Sequence, residues 1–397
     1  MNKREFLKTS MFASGAMLVP SFLKGMEFLT PEQLSGFKNV VIIQLSGGND
    51  GLNTLVPFRD DLYYKHRPSL GLKGDEILKL SDTLGVNANL KIIKELYDKG
   101  EVSIINNVGY PNPNRSHFRS MDIWHTGSGS NEYLSTGWVG RYLDSNCTHP
   151  YESIEVDSSL SLAMKGSERT GIALSDANKL YRDTRENFFK QIATNTKDSM
   201  LSEDNQGYLY KTLLGTYSSA EYIKETAKIY TTKVQYPNSK FAKNLKVIGD
   251  FINSGLKTRV YYSSLGGFDS HVNQKNMQGR NFKTYSEGVS ALVEDLKSTG
   301  RFKDTLILTF SEFGRRVKQN ASKGTDHGTA NNVMVISGGL KKAGIYNENP
   351  NLSSLDKNGD LQHTVDFRGV YATILSNWLE VNDEIILNKK FKKLGFV

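Results

Sequence analysis

The chain has 397 residues, 38% hydrophobic and 23% charged, with 35 Gly, 9 Pro and a single Cys. That balance excludes a disordered or fibrous chain and provides core material for one large domain or two ordinary ones. The formal charge of +8 is partly terminal, with Lys3, Arg4, Lys8 and Lys24 set against Glu5, and no basic strip argues for nucleic acid. A lone Cys147 cannot form an intrachain disulfide and rules out a Cys-rich zinc or iron–sulfur site.

A charged start followed by a short apolar run from Ser10 to Leu23 has the layout of an export signal, too short to span a membrane easily. The order Lys3-Arg4-Glu5-Phe6-Leu7-Lys8 resembles a twin-arginine signal in which Lys3 replaces the first arginine. Residues 1–25 are therefore expected to direct the chain to the periplasm or beyond. The segment is either removed near Gly25 or kept as the only link to a membrane.

Next comes Asn39 to Leu45, a nearly continuous apolar run of the kind that forms a strand buried on both faces. Similar runs follow at Val102–Ile105, Arg259–Tyr262, Thr305–Phe310 and Asn332–Ile336. Helical patterns at Leu90–Leu96 and Tyr285–Thr299 precede two of them, and strands alternating with helices predict an α/β sheet wound on both faces. From about Glu186 to Gly255 the chain is polar, rich in Lys and Tyr and mostly helical in pattern, which predicts a mainly helical insertion at about 150–255 in one α/β domain spanning 38–397 rather than a second domain.

Ligands of open α/β sheets bind beyond the carboxyl ends of the strands. Around those positions stand Asp50, then Asp269 and His271, then Glu312, and, before the last strand, Asp326 and His327. Each alone reads as a turn or a surface pair. Together they offer hard carboxylate oxygens and imidazole nitrogens, a donor set that suits a divalent metal such as Zn, Mn or Mg.

After the Val102 strand the sequence runs Tyr110-Pro111-Asn112-Pro113-Asn114-Arg115-Ser116-His117-Phe118-Arg119, and the prolines predict a helix starting near Asn114 or Arg115. Ser116 then lies in the first turn, with Arg115 and Arg119 placed to hold a phosphate or sulfate. Two roles stay open for Ser116: a nucleophile or a simple helix cap.

Five segments taken together resemble the bacterial "domain of unknown function 1501" family over about residues 38–380. They are IIQLSGGNDGLN, NPNRSHFRSMDIW, GGFDSH, TFSEFGR and GTDHG. That family is similar to the alkaline phosphatase and sulfatase superfamily. The resemblance implies a doubly wound, mostly parallel α/β core, one or two divalent metals (Zn, Mn, Mg or Ca) and a hydroxyl nucleophile. It places Asp50, Asp269, His271, Glu312, Asp326 and His327 as candidate ligands and Ser116 as the candidate nucleophile. Phe313 stands where the superfamily has a metal histidine. Cys147 lies far from the nucleophile segment, so a formylglycine sulfatase is not implied. Near the end, Thr364 or Asp366 is expected to cap the helix that follows.

The expected function is an exported, metal-dependent hydrolase of small-molecule or glycan phosphate or sulfate esters. The alternative is a secreted binding or assembly protein that keeps the fold without turnover, because fold alone does not establish chemistry.

Overall fold

The computed structural model describes residues 34–196, 200–201 and 204–397; the expected export signal lies outside the described residues. Among the described residues no helix is long and apolar enough to cross a membrane.

The first apolar run becomes strand β1 (Asn39–Leu45), buried at all seven positions. A small antiparallel sheet follows, made of β2 (Leu55–Val56), β3 (Ile77–Lys79) and β4 (Gly85–Asn87). The remaining strands are β5 (Val102–Gly109), β6 (Ser153–Glu155), β7 (Ile172–Ala173), β8 (Val260–Leu265), β9 (Thr305–Phe310), β10 (Asn331–Ile336), β11 (Gly344–Ile345) and β12 (Val365–Asp366). With β1 they form a nine-stranded sheet in the order β11-β5-β10-β9-β1-β8-β6-β7, with β12 also on β5.

All pairings in this sheet are parallel except those of β10, which runs antiparallel to both β5 and β9. That reversal matters for the site. The start of β10 lies at the same edge as the ends of the parallel strands, so residues before β10 meet residues that follow β1, β8 and β9.

Alternate residues of β1 feed two cores, as the period of two in a strand requires. Val41, Ile43 and Leu45 pack with Ile93 of helix Lys91–Asp98, Ile248 of helix Lys240–Ser254 and Leu292 of helix Gln274–Ser298. Val40 and Ile42 pack on the other face with Trp124 of helix His117–Thr126, Leu143 of helix Trp138–Asn146 and Tyr371 of helix Phe367–Thr373. Helices on both faces make the sheet doubly wound.

The middle segment combines helices with short strands. It carries helices Ala177–Thr184, Asn187–Asn195, Asn205–Ala227 and Lys240–Ser254, but also β6 and β7, which extend the main sheet. Strands of three and two residues leave no apolar run for sequence reasoning to find. Farther on, Asp366 caps helix Phe367–Thr373 through the Arg368 amide, and Cys147 is buried and free.

Candidate metal centre

Loops at the carboxyl edge build the site. After β1 the chain turns through Gly47 at φ 117°, and a side chain there would collide with the Asp269 backbone. The glycine lets the β1 loop and the β8 loop touch. Glu312, directly after β9 apart from Ser311, accepts from the Gly47 amide at 2.8 Å and so ties a third loop to the first. Arg315 is fully buried and finishes the tie, donating to the carbonyls of Gly47, Gly48, Phe268 and Thr325 and to Asp269 Oδ1 at 2.7 Å.

Three imidazoles surround Asp269. The Nε2 atoms of His271 and His327 lie 3.1 and 3.3 Å from Asp269 Oδ1 and 3.1 Å from each other. Nε2 of His117 lies 3.5 Å from Asp269 Oδ2, is buried and has no hydrogen-bond partner. His117, Asp269 and His327 offer ligand atoms that all fall within 4.8 Å of one another.

The outer nitrogens explain the orientation. His117 Nδ1 meets Glu312 Oε1 at 2.8 Å, His271 Nδ1 meets Asp326 Oδ1 at 3.3 Å, and His327 Nδ1 meets the Arg115 carbonyl at 2.7 Å. A carbonyl or an ionised carboxylate can only accept, so each neutral ring carries its proton on Nδ1 and turns a lone pair inward from Nε2. Metal-ligating histidines are held in this way by outer partners. Ligand atoms sharing one tetrahedral cation with bonds near 2.0–2.1 Å stand about 3.3 Å apart. The separations from Asp269 to the three Nε2 atoms, and between those of His271 and His327, run from 3.1 to 3.5 Å, the spacing that donors to a divalent ion need. Asp269 and His271 are about half exposed, which leaves one side open to solvent.

Electrostatics divide the rings. The hydrogen bond to Glu312 raises the pKa of His117, whereas burial lowers that of His327. Burial opposes the charge of Asp269, but Arg315 and then His327 outweigh it and hold the carboxyl at about 2.

The sequence candidates therefore take distinct places. Asp269, His271 and His327 meet directly. Glu312 and Asp326 stand one layer out, each holding an imidazole. Asp50 does not join them: its Oδ2 accepts from Arg67 at 2.6 Å, both side chains being fully buried, and from Gln274, while Oδ1 caps the turn at Leu52. Arg115 and Arg119 are also committed elsewhere. Arg115 pairs with Asp360 and lies 3.6 Å from Asp356, while Arg119 donates to the carbonyls of Gly129, Ser130 and Glu132 and stacks on Tyr133. A guanidinium matched by carboxylates or carbonyls is not free for an incoming oxyanion; Arg315 is the cation bonded to the cluster.

Ser116 stands in the chain between the Arg115 carbonyl bound by His327 and the His117 ring. It occupies the N-cap position of helix His117–Thr126, yet its exposed side chain makes no cap bond, and its amide donates to Asn114 Oδ1 instead. Sequence reasoning passed over His117 because it stood beside a candidate nucleophile rather than in an Asp-x-His pattern. Its place at the first helical position, on the same edge as Glu312, was the available signal.

A doubly wound, mostly parallel sheet whose carboxyl edge gathers histidines and a carboxylate defines the class of protein. The chain belongs to the family described as protein of unknown function (DUF1501), which matches residues 105–384. No curated protein matches it. Among solved structures it is similar to a phosphonate monoester hydrolase from Silicibacter pomeroyi, at 9% identity and a TM-score of 0.40, covering 89% of this chain and 77% of that one. It is also similar to a sulfatase from Pseudoalteromonas sp. (13%, 0.37, covering 90% and 70%). A third is a protein in the alkaline phosphatase superfamily from Vibrio parahaemolyticus (10%, 0.33, covering 89% and 70%).

Proposed function

We propose that the chain is an exported, metal-dependent hydrolase of phosphate or sulfate esters. One observation carries this reading: the Nε2 atoms of His117, His271 and His327 converge on Asp269, and Ser116, next to His117 in the chain, has a side chain spared from capping its own helix. A divalent ion held by His117, Asp269, His271 and His327 would supply positive charge for the ester oxygens and favour ionisation of a neighbouring hydroxyl.

The protein's own groups do the rest. Ser116 opens a ten-residue helix, whose free amides favour negative charge at its start, and is the proposed nucleophile. Glu312, Asp326 and the Arg115 carbonyl keep the imidazoles aimed. Arg315, itself buried, fixes the Asp269 carboxylate through an ion pair and so holds it toward the imidazoles. The charged and apolar start of the sequence supports export.

A second reading, a binding protein without turnover, is favoured by Phe313. Its ring packs 4.8 Å from both His117 and His327 and fills a position that could have carried another ligand. Turnover of aryl phosphates and sulfates by protein loaded with Zn, Mn, Mg or Ca separates the two readings. Metal-dependent release of the phenol supports the hydrolase; silence across the panel supports the binding protein.

A further inference from the structure

We propose that the sheet edge opposite the metal centre carries a lysine face that seats the protein on an anionic lipid surface. Residues before β1 and β9, and those after the reversed β10, all lie at that edge. Contacts join them. Lys38 stands 4.4 Å over the Trp378 ring, and the neighbouring Asn377 donates to the Val397 carbonyl at 3.0 Å. The Phe396 carbonyl accepts from the amides of Lys341, at 2.9 Å, and Lys342, at 3.4 Å. Gly338 and Gly339 of the same loop pack on the Lys303 backbone. The entry to β1, the loop after β10 and the tail therefore form one continuous surface.

Charge gives that surface its partner. Lys303, Lys341, Lys342, Lys389 and Lys392 are exposed and have no carboxylate partner among the described residues. The acids nearby are largely matched: Lys390 and Lys393 hold Glu384 and Asp383, while Lys38 and Lys297 hold Asp304 and Glu101. Exposed Glu380 stands against the surplus. The tail lysines alone would be an ordinary solvated end; the fold adds Lys303, Lys341 and Lys342 to them.

Three features select a bilayer over a structured polyanion. All the unmatched cations of the face are lysines, point charges that suit a diffuse negative field, whereas arginine forks read fixed phosphate geometry. Ile385, on helix Asp383–Leu387, is 61% exposed beside Glu384 and its partner Lys390, an apolar side chain placed to enter a headgroup layer among cations. The described chain also enters at this face, with the apolar run Ser10–Leu23 upstream in the sequence. At ~3.3 Å per strand residue, the seven residues of β1 hold the metal centre roughly 20 Å from the lysines, so it faces away from the lipid.

The face is independent of ester chemistry, and its test is run in EDTA so that headgroup phosphate cannot bind through a metal. The full chain is floated with vesicles of phosphatidylcholine, and with vesicles in which a third of the lipid is phosphatidylglycerol. Binding to the anionic vesicles should be tighter by about tenfold or more and should collapse in ~1 M salt, where the screening length falls to ~3 Å. The basic start of the chain contributes to that preference, so substitution decides. Lys341→Glu combined with Lys342→Glu should weaken anionic binding by about 25-fold or more, at roughly fivefold per lysine. Ile385→Ser should weaken it about fivefold. All three positions are exposed, so the fold should persist. Equal binding to the two vesicles overturns the proposal, as does a double variant that binds like wild type. Duplex DNA held more tightly than the anionic vesicles would give the face to nucleic acid instead and overturn it too. Each of these outcomes counts against the lysine face alone, and ester turnover stands or falls separately.

Discussion

His271 and His327 bring their Nε2 atoms to within 3.1 Å of each other although 56 residues separate them. One follows a parallel strand and the other precedes β10, which runs antiparallel to its neighbours in the main sheet, so both arrive at the same sheet edge. Two nitrogens at that distance need a proton or a cation between them. With the proton of His327 already on Nδ1, facing the Arg115 carbonyl, a cation satisfies both rings at once.

The outer layer should matter nearly as much as the ligands. Glu312→Gln keeps the shape of the side chain but weakens its hold on His117 Nδ1. Metal affinity measured by chelator competition should fall about 10–100-fold. Unchanged affinity would show that Glu312 does not orient this ring.

Ser116→Ala separates chemistry from capping. Because the hydroxyl makes no cap bond, the unfolding free energy should change by less than about 0.5 kcal/mol, whereas loss of a working cap costs about 1 kcal/mol. Turnover of aryl esters should be abolished with metal content retained. Full activity in the variant would move the nucleophile to another group.

Asp50 tests where the ligand set stops. Asp50→Asn leaves Arg67 buried without its counter-charge and should lower stability by roughly 3–5 kcal/mol in urea unfolding, with metal affinity preserved. A variant that loses metal but not stability would return Asp50 to the ligand set.

Much of this arrangement was legible in the sequence, and the reasons are physical. Strands β1 and β9 read directly because strands buried on both faces leave unbroken apolar runs. The gathering of Asp269, His271 and His327 followed from loops at strand ends, although the reversal of β10 is invisible in a run that is apolar on both sides. Arg67 was not legible. It lies in a stretch without strong periodicity, and nothing local marks it as the partner of Asp50 seventeen residues earlier. Nor were the commitments of Arg115 and Arg119, since Asp360 and the carbonyls near Gly129 meet them only through the fold.

Glu155 gives a pH test away from the cluster. Burial pushes its carboxyl up to about 7, only partly offset by the Ser161 amide that donates to it at 2.7 Å. With the folded value raised, the group's contribution to stability is fully present below about pH 4.5 and is lost as pH rises through about 7. Glu155→Gln should remove that slope and be more stable than wild type at pH 8 by roughly 2–4 kcal/mol. Parallel stability curves for the two proteins between pH 4 and 8 would contradict the assignment.

The most direct measurement is metal stoichiometry, by elemental analysis of wild type and of His117→Ala and His327→Ala after equilibration with Zn²⁺ or Mn²⁺ and removal of excess. The cluster predicts a tightly held divalent ion in wild type that is lost, or weakened at least tenfold, in both variants while the fold persists. Wild-type protein that emerges metal-free, or variants that keep the ion as tightly as wild type, would contradict it.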